Sequence, residues 1–297
     1  MNEEIQHIPV FGLNIVELLQ VKNNSIILDC TCGEGGHASI FLPLIKEGYY
    51  YGFDRDECVL EIAKKRLSKI SNNFRLFHDT YANANKCIEE DKLEKPSILI
   101  ADLGISMYQL KTRGRGFSFQ TDDPLDMRFD GSDVELRAYD IVNRYPEKKL
   151  ADIIYEFGEE RASRRIAYKI VRERNRKPIE TCDQLASIVA SAKGYRGKTH
   201  PATQTFQALR IEVNQEMVQL KNLLKTLHEL VKENGTIAFI SYHSIEDRII
   251  KYFIRESLDF TKVNKKIIRP LDEEIAVNPA ARGAKLRIGT RNAKSIG

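Results

Sequence analysis

No apolar run in this chain of 297 residues is long enough to span a bilayer. The opening Met1-Asn2-Glu3-Glu4 is acidic and lacks the basic residues and apolar stretch of a secretory signal, so export is not expected. Cysteine is sparse: Cys30, Cys32, Cys58, Cys87 and Cys182 form no C-x-x-C pair and no even framework. Disulfides and structural zinc are therefore not expected, and the compartment is read as reducing, the cytoplasm. No cluster elsewhere has the spacing of metal ligands, so no metal is assigned. Internal repeats and low-complexity tracts are absent too, which excludes solenoids and disordered arrays. Net charge is only +4 and by itself says little about partners.

What is present is ordinary in amount and uneven in placement. Charged residues make up 30% and hydrophobic residues 42%, a globular balance, and the length allows one large α/β domain plus a smaller one. Between Arg161 and His200 stand eleven Lys or Arg against Glu173, Glu180 and Asp183, a net of +8, while the rest of the chain carries −4. Such segregation suits a module facing a polyanion, although a solvated helix face would look the same.

Short β-rich runs alternate with helical stretches over the first hundred residues, the pattern of a parallel sheet with crossover helices. Strands are predicted at 25–29, 49–54, 74–77 and 97–102, with a helix from His37 to Lys46 and another through Ile62 and Leu67. After Asp102 the rhythm breaks. Leu150, Ile153, Ile154 and Phe157 share one helical face, Ile166 and Ile170 another, and Thr181 with Gln184 forms a capping box. An inserted helical domain is therefore expected over 109–202, inside a discontinuous α/β domain made of 1–108 and 203–297. Phe206, Leu209, Val213, Met217, Leu220, Leu224, Leu227 and Val231 read as one long helix. A fifth strand follows at 235–241, a helix from Ile245 to Ser257, and late strands near 260–268 and 284–288.

Asp29-Cys30-Thr31-Cys32-Gly33-Glu34-Gly35-Gly36-His37 joins the first strand to a helix. Glycines there let the backbone approach a ligand, and the helix N-terminus offers unpaired N–H groups. Asp54, ending strand two, can accept from both ribose hydroxyls of an adenosine cofactor. S-adenosylmethionine and NAD share that need, and Gly33-x-Gly35-x-x-Ala38 satisfies the loose dinucleotide pattern. The acids tilt the balance toward the methyl donor. Asp29 suits the cationic amino group of a methionine moiety, whereas Glu34 would repel a pyrophosphate. Asp102 adds a carboxylate on the rim where open α/β sheets bind ligands. An NAD site and a tight turn without ligand stay open on these residues alone.

Several stretches carry a more specific likeness. They are His7-Ile8-Pro9-Val10, Gly35-Gly36-His37, Asp54-Arg55-Asp56, Asp102-Leu103-Gly104-Ile105-Ser106, Arg115-Gly116-Phe117-Ser118-Phe119 and Pro124-Leu125-Asp126-Met127-Arg128. Further on come Tyr-x-x-Gly-Glu-Glu-Arg at 155–161, His200-Pro201-Ala202-Thr203, Thr205-Phe206-Gln207-Ala208-Leu209-Arg210-Ile211, Ser241-Tyr242-His243-Ser244-Ile245-Glu246-Asp247-Arg248 and Asn278-Pro279-x-Ala281-Arg282. Together, and in this order, they make the chain similar to the RsmH (MraW) methyltransferases, which modify the N4 amino group of a decoding-centre cytidine in 16S ribosomal RNA.

The resemblance implies a Rossmann-like class I methyltransferase of α/β class with an inserted all-helical domain. It implies S-adenosylmethionine as cofactor, held by Gly35, Gly36, His37, Asp54, Tyr81, Asp102 and Gln109, and a P-site cytidine of the 30S subunit as substrate. Two departures stand out: the family usually has Phe at the position of Tyr81, and Ser-Pro where Met107-Tyr108 precede Gln109. The second bears directly on the backbone that carries Gln109.

Cytosine N4 is a poor nucleophile because its lone pair is delocalised into the ring, so a hydrogen-bond acceptor and proton acceptor would help it. Asp102 is the first candidate and His243 the second, with a helix-capping histidine as the alternative for the latter. RNA contact is expected from Arg113, Arg115, Lys198 and Arg282, with Lys285 and Arg287 as further candidates. His7 and His200 are read as structural before RNA-binding. Phe117, Phe119 or Tyr242 could stack on an extruded base, burial being the alternative for the phenylalanines. A small-molecule methyltransferase, an NAD-dependent oxidoreductase and a non-catalytic assembly factor are the competing readings, and oligomeric state is open, a homodimer included.

Overall fold

A computed structural model describes residues 9–130, 136–194, 200–264 and 266–293. Lys198, His7 and most of the loop at 194–198 lie outside the described residues. Two compact units result: Met1–Ser106 with Val218–Gly297, and Met107–Met217. Among the described residues no helix is long and apolar enough to cross a membrane.

Among the described residues the first unit is built on seven strands: β1 Ile26–Asp29, β2 Tyr49–Asp54, β3 Phe74–His78, β4 Ile98–Asp102, β5 Thr236–Ser241, β6 Phe260–Lys262 and β7 Lys285–Arg291. Their order is β3-β2-β1-β4-β5-β7-β6. The first five run parallel, while β7 is antiparallel to both β5 and β6. Strand β1 is buried at every residue, as a central parallel strand covered on both faces must be.

Alternation divides the side chains between two cores. Ile27, Tyr50, Ile100 and Ile240 face Phe41, Leu60 and Leu67 of helices Gly36–Phe41 and Glu57–Leu67. Leu28, Phe53, Leu99 and Phe239 face Leu223, Leu227 and Ile250 of helices Glu216–Leu230 and Ser244–Glu256. Each fully buried aliphatic side chain contributes about 1.5–3 kcal/mol of transfer free energy. By the same alternation Asp29, Asp54 and Asp102 fall on the first of these faces, at the C-terminal ends of β1, β2 and β4.

The second unit is helical: Ala138–Arg144, Glu147–Gly158, Ser163–Arg174, Cys182–Lys193 and Thr203–Asn214. Leu150, Ile154, Ile166, Ile170, Leu185 and Val189 are fully buried, the faces that periodicity predicts. Gln184 accepts from the backbone N–H of Thr181 at 3.4 Å and of Glu180 at 2.9 Å, as the capping pattern anticipates. Gly158 permits close helix packing, since a Cβ there would lie 2.5 Å from the Gln204 carbonyl oxygen.

Three expectations are corrected. The long helix predicted from Phe206 to Val231 is two helices, because Gln215 takes the left-handed conformation at φ 51°. The apolar stripe keeps its phase across that break, so periodicity cannot reveal it. The first of the two helices belongs to the helical unit, which accordingly runs to Met217 rather than ending at 202. The late strand expected over 260–268 is shorter: β6 ends at Lys262, and Ile268 makes only an isolated bridge to Leu286.

Candidate active site

The turn after β1 is organised by the aspartates around it. Asp29 Oδ1 accepts from the Thr31 N–H at 2.9 Å and Oδ2 accepts from the Tyr50 hydroxyl at 2.8 Å. Thr31 in turn accepts from the Asp102 N–H at 2.7 Å through its Oγ1, which ties the end of β4 to the turn. Asp54 Oδ2 accepts from Gly33 N–H at 2.9 Å and Oδ1 from Asp56 N–H at 3.0 Å. Both bonds orient the carboxylate, and each oxygen keeps a lone pair for another donor. Gly35 caps helix Gly36–Phe41 at φ 78°, where a Cβ would press on the Leu67 side chain at 3.1 Å. Only glycine meets both conditions without strain.

Burial pushes the carboxyls of Asp54 and Asp102 up to about 6. Asp29 is also raised by burial, against the opposing influence of His37. His37 likewise acts on Asp102, followed by the hydrogen bond from Tyr242, while Asp29 and Glu246 push the value up. The His37 Nε2–H donates to the Val10 carbonyl at 3.0 Å, which fixes the ring in the cofactor turn and occupies that nitrogen. Asp54 and Asp102, part-exposed on one rim with the buried Asp29 behind them, form a site for a cation. A ligand bearing an ammonium and a sulfonium fits it, whereas a pyrophosphate would meet only repulsion from the same rim.

Gly35, Gly36, His37, Asp54 and Asp102 are thus brought together around the ends of β1, β2 and β4. Tyr81 lies in a short 3₁₀ turn, Tyr81–Asn83, after β3 and packs partly buried on the second core. Gln109 is buried in helix Met107–Lys111 of the helical unit. His243 is the N-cap of helix Ser244–Glu256: its Nδ1 accepts from the Glu246 N–H at 3.4 Å, and Nε2 stands 3.0 Å from Glu246 Oε1. The capping alternative is therefore the one whose geometry is present.

The cationic candidates divide by what they touch. Arg113 and Arg282 are exposed. Arg115 instead donates to the carbonyl of Phe129 at 2.9 Å and so braces its own loop. Arg287 is buried in a two-point ion pair with Asp247, at 2.7 and 3.1 Å, and is not offered to a phosphate. Within the basic segment Arg174 donates to the carbonyls of Val142 and Tyr145, both at 2.7 Å, and Lys193 pairs with Glu160. Arg161, Arg164, Arg165, Arg172, Arg176 and Lys177 remain exposed. Phe117 is buried and stacked on Phe129, and His200 stacks on Phe119 at 4.4 Å. Sequence reasoning missed Thr31, Tyr50 and the Tyr242–Asp102 bond. Strand parity signals Tyr50, since 50 and 54 share a face, but nothing local signals a partner 140 residues away.

A sheet of this order with one reversed strand, opened at its carboxyl end by a glycine turn among acids, defines a methyltransferase of the class I, Rossmann-like fold, whose cofactor is S-adenosylmethionine. The MraW methylase family matches residues 4–292, and the chain belongs to that family. It is 44% identical to the ribosomal RNA small subunit methyltransferase H of Thermosipho africanus, over 97% of this chain and 98% of that one. With the protein of the same name from Coprothermobacter proteolyticus it shares 40% identity over 97% of each chain. Among solved structures it is similar to an rRNA methylase from Streptococcus thermophilus, at 14% identity and a TM-score of 0.46, covering 98% of this chain and 100% of that one.

Proposed function

We propose that this protein methylates ribosomal RNA of the small subunit, and that its target is the N4 amino group of the decoding-centre P-site cytidine of 16S rRNA, presented within the 30S subunit in the cytoplasm. The observation that carries the chemistry is Asp102, a part-exposed carboxylate at the tip of β4, on the same rim as Asp29 and Asp54. The relatives' shared name supports the RNA class.

Bound S-adenosylmethionine supplies a sulfonium methyl group, already a strong electrophile. In this reading Asp54 receives the ribose hydroxyls, and Gly35, Gly36 and His37 line the turn that the cofactor approaches. Asp102 accepts a hydrogen bond from the target amine, which draws the nitrogen lone pair out of conjugation with the ring. Transfer of that methyl group, forming the N–C bond as the S–C bond breaks, would free one proton of the amine, which Asp102 would take and pass on to solvent. A carboxyl raised to about 6 is better matched to that proton than an ordinary aspartate.

The helical unit supports the polyanion. Arg165, Tyr168 and Arg172 recur every three or four residues along helix Ser163–Arg174, all exposed, so two cations flank an aromatic ring on one helical face, with Arg161 and Arg176 exposed just beyond its ends. Arg113, Lys198 and Arg282 are the further phosphate contacts in this reading, with Gln109 and Tyr81 serving the cofactor. The test is labelled methyl transfer to undermodified 30S subunits across a salt series, with free nucleosides as the competing substrate. Transfer to the subunit that falls steeply with salt supports the reading. Efficient transfer to free nucleosides, indifferent to salt, overturns it in favour of a small-molecule enzyme.

A further inference from the structure

Tyr242, the residue after β5, donates its hydroxyl to Asp102 Oδ1 at 2.9 Å. The phenol is held from three sides. Its backbone N–H donates to Glu246 Oε2 at 3.2 Å, and Glu246 is itself buried at the first turn of helix Ser244–Glu256. Its ring lies over Gly104, where a Cβ would stand 3.4 Å from Tyr242 Cδ2, and where φ is 127°. Burial and the charge of Asp102 both keep this phenol protonated, so towards Asp102 it serves as a donor.

We propose that Tyr242 is a positioning residue for methyl transfer: by engaging Oδ1 it fixes the Asp102 carboxylate so that Oδ2 is the oxygen presented to the substrate amine. The proposal rests on the reading of Asp102 given above. A carboxylate at the end of a strand rotates about its Cα–Cβ and Cβ–Cγ bonds, and one short bond to a rigid donor removes that freedom. Holding a reacting group within a few tenths of an ångström of its working geometry is what a buried supporting shell does. The bond also favours the ionised carboxylate, the form able to accept a proton. The other titratable groups acting on Asp102 are His37, Asp29 and Glu246. The aromatic ring is thereby committed to the protein, and stacking on the target base is left to other side chains.

Tyr242→Phe removes the hydroxyl and keeps the ring on Gly104. The expected result is S-adenosylmethionine affinity and RNA KM within about twofold of the parent, with kcat down by about tenfold or more. The acid limb of the kcat profile should also move to higher pH, because Asp102 loses a donor to its charged form. A merely structural tyrosine would leave that limb in place. Unchanged kcat and an unmoved limb overturn the proposal, as does a loss confined to cofactor affinity. Asp102→Asn separates the two levels. If it is inactive while Tyr242→Phe behaves as the parent, the positioning role fails and the reading of Asp102 stands. If Asp102→Asn retains full activity, that reading fails and the positioning role with it. The double variant should be no slower than Asp102→Asn alone.

Discussion

The Tyr50 hydroxyl donates to Asp29 Oδ2 at 2.8 Å, and both residues are essentially removed from solvent. A buried carboxylate needs such a donor, and Tyr50 reaches it because Ile27 pairs with Tyr50 in the β1–β2 register. Asp29 is thus committed to shaping the cofactor turn, through Tyr50 on one oxygen and Thr31 on the other. Tyr50→Phe should lower stability by about 1–3 kcal/mol, the cost of leaving a buried acceptor unpaired. Urea unfolding measures it, and a variant as stable as the parent would show that Asp29 finds another donor.

Cofactor affinity should depend on pH through the rim. Asp54 and Asp102 sit at about 6 in the free protein, and a bound cation favours their ionised forms. Binding therefore releases protons near pH 6 and weakens as pH falls through that value, by about tenfold or more at pH 5. Calorimetry in buffers of different ionisation enthalpy reads the release directly. Stability runs the opposite way. Carboxyls raised above the ordinary value hold protons in the native state that the unfolded chain has lost. Their contribution to stability is therefore present at low pH and disappears as pH rises from about 4 to about 6. Proton uptake on binding would contradict this electrostatic picture.

Arg287 is predicted to matter for folding and not for RNA. Arg287→Ala strands Asp247 without its buried partner and should cost about 3–5 kcal/mol. The salt slope of RNA binding should be unchanged in whatever fraction remains folded. A reduced slope at normal stability would restore Arg287 to the RNA-contacting set.

The exposed stripe makes the reverse prediction. Arg161→Glu with Arg172→Glu should leave the melting temperature within about 2 °C of the parent, since both side chains are exposed and such surface substitutions are nearly neutral. Each lost phosphate contact should lower the salt slope of RNA binding by about one. A filter-binding series at several salt concentrations decides it, and an unaltered slope would place the RNA elsewhere.

How much of this was legible follows from the range of each interaction. Hydrophobic periodicity and glycine punctuation are local, so strands β1 to β5 and most helices were readable, as was the rim of Asp29, Asp54 and Asp102. A single left-handed residue, Gln215, leaves no compositional trace and split a helix that periodicity joins. The charge count marked a basic segment but could not tell Arg174, spent on the carbonyls of Val142 and Tyr145, from Arg172, which faces solvent. Arg287 was misread for the same reason: its partner Asp247 lies 40 residues away and only the fold brings it near. The meeting of Tyr242 with Asp102 likewise depends on β5 lying beside β4.

The site of methylation is read at nucleotide resolution in cells from which this gene has been deleted. Fragments of their 16S rRNA would be compared by mass spectrometry with those from cells carrying the parent chain or Asp102→Asn. The parent alone should restore one methyl group on the N4 nitrogen of the P-site cytidine. A methyl group that persists without the gene, or that returns at another base or atom, would contradict it.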